Sequence, residues 1–224
     1  PGLPSKEKVM KATKLGPVEW DPMTMPKTLE QSEESYTEQR LALSLGVNAV
    51  NRYSKQFGDM SYTKGVLNNG APGSGKTFVL QAQGLYGMSQ GLRVMSTSLM
   101  AVRATAIGGY HLHRLFQWEV GKNANLFRLA EVSCYHVCLI DHPTQGLLKT
   151  FLELLQLAVD KLHRKSNMKF LHIILTMDML LLDECGQMSA QQLALLDIVF
   201  RHTRHGSLPF GGVLICGTFD HTQL

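Results

Sequence analysis

Gly70, Ala71, Pro72, Gly73, Ser74, Gly75, Lys76 and Thr77 fill the spacing G-x-x-x-x-G-K-[ST] without a mismatch, and each residue type in that pattern suits contact with phosphate. Glycines let backbone N–H groups close around phosphate oxygens, Lys76 brings a positive point charge, and Thr77 offers a hydroxyl to Mg²⁺. Val66 and Leu67 precede the loop as a short apolar strand, and Phe78, Val79, Ala82, Leu85 and Tyr86 follow at helical spacing. A helix starting near Gly75 adds its N-terminal dipole to the loop. A surface loop that fits the pattern by accident has no need of this strand, loop and helix order.

A second group of chemically capable residues ends the apolar run Leu180-Leu181-Leu182-Asp183-Glu184. Functionally, Asp183 would hold Mg²⁺ directly or through water, and Glu184 would accept a proton from an attacking water. Structurally, the two acids can also serve to cap the next element. A glutamate beside the metal aspartate favours hydrolysis over binding alone. The sequence contains no guanine-reading Asn-Lys-x-Asp element.

These groups need a scaffold, and 224 residues with 44% hydrophobic content are enough to bury one substantial core. Strands are expected at Val66 to Asn69, Arg93 to Thr97, Met179 to Asp183 and Val213 to Cys216, separated by helical segments. That alternation predicts an α/β fold, with a mostly parallel sheet and helices on both faces. Ser35 and Glu38 have capping-box spacing, and Leu41, Leu45, Ala49 and Tyr53 recur every fourth residue, so a helix is expected from Ser35 to Phe57. Leu148, Phe151, Leu152, Leu155, Val159 and Leu162 mark another amphipathic helix.

Five of the eight prolines fall at Pro1, Pro4, Pro17, Pro22 and Pro26, beside Lys6, Lys8, Lys11 and Lys14. Residues 1–30 are therefore expected to be an extended or flexible basic arm, followed by one domain over 31–224. The net charge of +4 fits nucleic-acid contact without arguing for it. No apolar run has the length of a membrane helix, and no secretory h-region opens the chain. A soluble intracellular protein is expected, with nucleus or mitochondrion favoured over cytoplasm. Cys134, Cys138, Cys185 and Cys216 are too few and scattered for a disulfide scaffold. Cys134 and Cys138 lie near His136 and His142, but their spacing matches no standard zinc pattern.

Tyr36-Thr37-Glu38-Gln39-Arg40, Thr97 through Phe116, and the segment from Asp183 to Ser189 together resemble superfamily-one DNA helicases of the PIF (petite integration frequency) and RecD type. The likeness runs, with gaps, from Tyr36 to Leu224. It implies a RecA-like P-loop NTPase domain in which Gln39 reads the adenine edge, as an amide with both donor and acceptor can. Ile107, Gly108, Gly109, His113 and Phe116 match the family segment that touches the nucleic-acid backbone, while Met100, Ala101 and His111 depart from it. The resemblance thus makes Thr97, His113 and Arg114 candidate contacts to single-stranded DNA. A buried, hydrogen-bonded His113 is the structural alternative. Gln223 would sense the γ-phosphate, although Thr218 stands where the family has aspartate.

The resemblance implies the first of two RecA-like domains, truncated after the third helicase motif, with ATP and Mg²⁺ as cofactors. In such enzymes a second domain brings arginines to the transferring phosphate, and an arginine of that kind is worth about 10³ to 10⁵ in rate. The expected function is an ATP-dependent DNA helicase motor, weak as an ATPase and unable to unwind by itself. Two alternatives are a non-catalytic ATP- or DNA-binding relic of a helicase and a P-loop phosphotransferase.

Overall fold

The computed structural model describes residues 6–16, 18–19, 36–55, 65–118, 153, 156–204 and 206–220. Five strands form one parallel sheet: β3 (Val66–Asn69), β4 (Val94–Ser98), β5 (Tyr110–His111), β6 (Met179–Asp183) and β7 (Leu214–Phe219). Their spatial order is β3-β7-β6-β4-β5. β7, last in sequence, lies between β3 and β6, pairing Asn68 with Thr218 on one side and Leu182 with Gly217 on the other. Both β4 and β6 bury all five of their residues, as strands covered on two faces must. That burial explains why Met179 to Leu182 read as a continuous apolar run.

The chain divides into two compact units. The first contains the sheet, together with α2 (Thr37–Lys55), α3 (Lys76–Ser89) and α4 (Ala101–Ala106). α3 is central to it, burying ten of its fourteen residues, and its Val79, Leu80, Ala82 and Tyr86 share a core with Leu43 and Val50 of α2 and with Met179, Leu181 and Leu214 of the sheet. A polar tie crosses this core. Asn68 and the fully buried Gln83 exchange amide hydrogen bonds of 3.0 and 3.2 Å, and Gln83 Nε2 also donates to the Ala42 carbonyl at 2.8 Å.

The expected flexible arm is corrected over its described part. Residues Lys6–Met10 form a short helix α1, and β1 (Lys14–Leu15) pairs antiparallel with β2 (Val18–Glu19). Val9, Leu15 and Val18 are buried, and Gln81 Nε2 on α3 donates to the Leu15 carbonyl at 2.9 Å. Its lysines and prolines favour solvent, but three apolar residues, one on α1 and one on each short strand, are enough to seat it on an apolar helix.

The second unit is helical and holds α5 (Leu112–Leu115), helical residues 156–163, α6 (Met168–Thr176, all but its last residue) and α7 (Ala190–Thr203). Phe116 packs at 5.3 Å from Trp118 and 5.2 Å from Phe200, ring centre to ring centre. Ser189 and Gln192 form a reciprocal capping box on α7, the N-terminus their spacing implies. Arg204 Nη1 donates to the Ile174 and Leu175 carbonyls at 2.9 Å each, satisfying the C-terminal end of α6. Of the amphipathic helix expected around Leu148 to Leu162, Val159 and Leu162 are helical and buried. Leu148, Phe151, Leu152 and Leu155 lie outside the described residues, as do Ser35, Phe57, Cys134, His136, Cys138, His142 and Gln223.

Candidate nucleotide site

Parallel strands present their C-terminal ends at one edge of a sheet, and that edge collects the chemically capable groups. β3 runs into the loop Gly70–Gly75, and α3 begins at Lys76. Gly73 and Gly75 have φ of 76° and 79°, left-handed values that a side chain would strain. They turn the loop around the start of α3, whose capping residue Gly75 supplies no side-chain hydrogen bond. The first N–H groups of the helix therefore keep their donor capacity for an incoming anion. Lys76 folds back over the loop, its Nζ donating to the Gly70 and Ala71 carbonyls at 2.6 Å each and standing 3.5 Å from Asp220 Oδ2.

At the end of β6, Asp183 is 1% exposed and accepts two hydroxyl hydrogen bonds. Thr77 Oγ1 lies 3.1 Å from Asp183 Oδ1, and Thr218 Oγ1 donates to the same oxygen at 2.7 Å. Glu184 follows with φ of 55°, and its backbone N–H donates to Thr218 Oγ1 at 2.7 Å. The left-handed turn sends the chain into a 3₁₀ turn over Cys185–Gln187. The Glu184 carboxylate meets Arg103 Nε at 3.1 Å and Gln187 Nε2 at 3.3 Å. A cavity of about 330 Å³ is lined by the loop from Pro72 to Thr77 and by Arg103, Asp183, Glu184, Thr218 and Asp220.

The donor set suits Mg²⁺. This ion takes hard oxygens, typically one or two protein groups with the rest from water and substrate phosphate. Thr77 and Asp183 offer one hydroxyl and one carboxylate facing each other. No group of three or more His, Cys, Asp or Glu that could hold a metal occurs among the described residues.

Of the residues singled out from sequence, the phosphate loop, Thr77, Asp183, Glu184 and Gln39 come together. Gln39 Nε2 donates to the Ser74 carbonyl at 3.2 Å, which brings α2 onto the loop. Thr97 requires a correction as a DNA contact. It is fully buried inside β4 and its hydroxyl donates to the Leu181 carbonyl at 3.1 Å, so it serves the sheet. His113 and Arg114 belong to the helical unit, where His113 packs edge-on against Trp118 at 5.7 Å and Arg114 is exposed. Gln223 cannot be placed among the described residues.

Three participants were missed or undervalued in the sequence reading: Arg103, Thr218 and Asp220. Arg103 lies in no pattern that singles it out in the sequence. Thr218 looked like a lost aspartate. Asp220 gave one available signal, an acid just beyond an apolar strand, the same signal that identified Asp183.

A five-stranded parallel sheet with a phosphate loop after one strand and an aspartate ending another, one strand removed, is a RecA-like P-loop domain. No protein-family model and no curated protein matches the sequence. Solved structures of Pif1 helicases are similar to it: the Pif1 helicase from Candida albicans at 18% identity and a TM-score of 0.48 covers 77% of this chain and 32% of its own. Bacteroides sp Pif1 in complex with ADP-AlF4 matches at 20% identity and a TM-score of 0.48, over 79% of this chain and 32% of its own. Bacteroides Pif1 bound to ssDNA matches at 19% identity and a TM-score of 0.43, over 77% and 31%. The chain thus spans about a third of the length of these proteins. Among the described residues, no helix is long and apolar enough to cross a membrane.

Proposed function

We propose that this chain is the motor domain of an ATP-dependent DNA helicase, binding ATP with Mg²⁺ and hydrolysing it, with hydrolysis coupled to movement on single-stranded DNA in the complete protein. The observation that carries the nucleotide part is the 3.1 Å approach of Thr77 to Asp183 beside a loop built on two left-handed glycines. Lys76 donates hydrogen bonds to two carbonyls of its own loop. Phosphate oxygens carry full charge and would replace those carbonyls as its partners. Gln39, whose amide lies against the loop at the Ser74 carbonyl, would pair with the adenine edge.

Thr77 and Asp183 would hold Mg²⁺, which when bound neutralises charge on the phosphates. Glu184 would orient the attacking water and take its proton, a contribution of roughly 10² to 10⁴ in rate for a positioned general base. The DNA part rests on the motif resemblance around Ile107 to Gly109, His113 and Phe116, with Arg114 as an exposed cation. Translocation also requires a second ATPase domain that closes on and opens from the first, so unwinding is proposed only for this domain together with such a partner.

A second reading, a module that binds nucleotide without hydrolysing it, is favoured by the engagement of Glu184 with Arg103 and Gln187. Phosphate release from ATP, with and without single-stranded DNA, separates the two. Hydrolysis that DNA stimulates, and that Glu184→Gln lowers by about 10² or more with ATP still bound, supports the motor. Tight ATP binding with no turnover in the wild type, even beside a second domain, supports the module.

A further inference from the structure

We propose that Arg103 is the residue by which this site distinguishes a nucleoside triphosphate from a diphosphate, its guanidinium leaving Glu184 for the terminal phosphate when a triphosphate enters the loop. The inference rests on the nucleotide-binding reading of the cavity. Arg103 comes from α4, a different element from the phosphate loop and from β6, yet it lines the same cavity. Among the described lining residues, Lys76 and Arg103 are the two cations. Lys76 lies over the loop itself, at Gly70 and Ala71, so phosphates lying along the loop fall to it. Arg103 reaches in from another wall.

The Arg103–Glu184 pair is lopsided. The glutamate side chain is 15% exposed and the arginine side chain 52%, so the arginine is the partner that water already solvates and that can change anions at small cost. An ion pair exposed to this degree is weak in itself. A terminal phosphate carries roughly two negative charges and three acceptor oxygens against one charge on a carboxylate, and the flat guanidinium fork matches it bidentately. Glu184 is not abandoned by the exchange. Gln187 remains 3.3 Å from its Oε2, and Thr218 holds its backbone N–H. The carboxylate would then face the cavity with its charge available to water at the moment the third phosphate arrives.

Binding of ADP and of ATPγS, each with Mg²⁺, tests this by calorimetry on the wild type, Arg103→Gln and Arg103→Lys. For Arg103→Gln the expected result is a loss of about 10-fold or more in ATPγS affinity, with ADP changed by less than about 2-fold. Arg103→Lys, which keeps the charge but not the fork, should fall between. An arginine that merely braces Glu184 would shift both nucleotides alike. If Arg103→Gln keeps the wild-type ratio of ATPγS to ADP affinity, the inference is overturned while nucleotide binding stands. If the wild type binds neither nucleotide, both fall. A melting curve checks folding, and if Arg103→Gln does not fold, the same ratio measured on Arg103→Lys decides.

Discussion

Thr218 shows how much one hydroxyl can organise. It donates to Asp183 Oδ1 and accepts from the Glu184 N–H, both at 2.7 Å, so it fixes the proposed metal carboxylate and the left-handed turn that aims the proposed base. Beside it, the Cys185 thiol donates to the Thr218 carbonyl at 2.9 Å. Burial pushes the Cys185 thiol up to about 11 and the Cys216 thiol up to about 12. Both are therefore neutral at ordinary pH. Since only the thiolate reacts, alkylation of Cys185 by iodoacetamide at pH 8 should be on the order of 100-fold slower than that of an exposed cysteine, with Cys216 slower still. Peptide mass spectrometry of labelled, folded protein reads this directly, and rapid labelling of Cys185 would contradict its half-buried, thiol-donating state. The loop, Asp183 and Glu184 were legible in the sequence because each sits inside a local pattern. Arg103 was not, because its partner Glu184 comes from an element far away in the chain.

The elements hold the site through a few cross-links whose loss should be measurable. Gln83 on α3 joins β3 through Asn68 and α2 through the Ala42 carbonyl, with its side chain fully buried. Gln83→Leu removes the amide but leaves Asn68 and that carbonyl enclosed, a cost of about 1–3 kcal/mol in unfolding free energy. Chemical denaturation should show the loss, and an unchanged midpoint would mean the tie is not a determinant of stability. β3 and β6 have the bounds expected of them, Val66 to Asn69 and Met179 to Asp183. β4 starts one residue later than expected, at Val94, since Arg93 is drawn to Asp178: its backbone N–H and Nε both reach Asp178 Oδ2 at 2.9 Å. β7 runs three residues past its expected end at Cys216. Gly217 and Thr218 look like a stop in isolation, but pairing with Leu67 and Asn68 of β3 carries them on as strand. Tertiary pairing of this kind has no local signature.

Across the whole molecule, the strand order decides what the nucleotide edge contains. Because β7 separates β3 from β6, Thr218 and Asp220 are carried to the cavity between the phosphate loop and Asp183. Sequence patterns gave the parallel sheet and its alternation with helices, but strand order is set by long-range packing and had to be seen. The same holds for residues 6–19, whose buried Val9, Leu15 and Val18 became intelligible only once α3 was there to receive them. The central claim is that Thr77 and Asp183 hold Mg²⁺ against a triphosphate lying on the loop beside Lys76. Titration of ATPγS into the wild type and Asp183→Asn, with and without Mg²⁺, tests it most directly. The wild type should bind at least about 10-fold more tightly with Mg²⁺ than without it, and Asp183→Asn should lose most of that difference while still binding the metal-free nucleotide. Failure of the wild type to bind, or a Mg²⁺ effect that survives in Asp183→Asn undiminished, would contradict it.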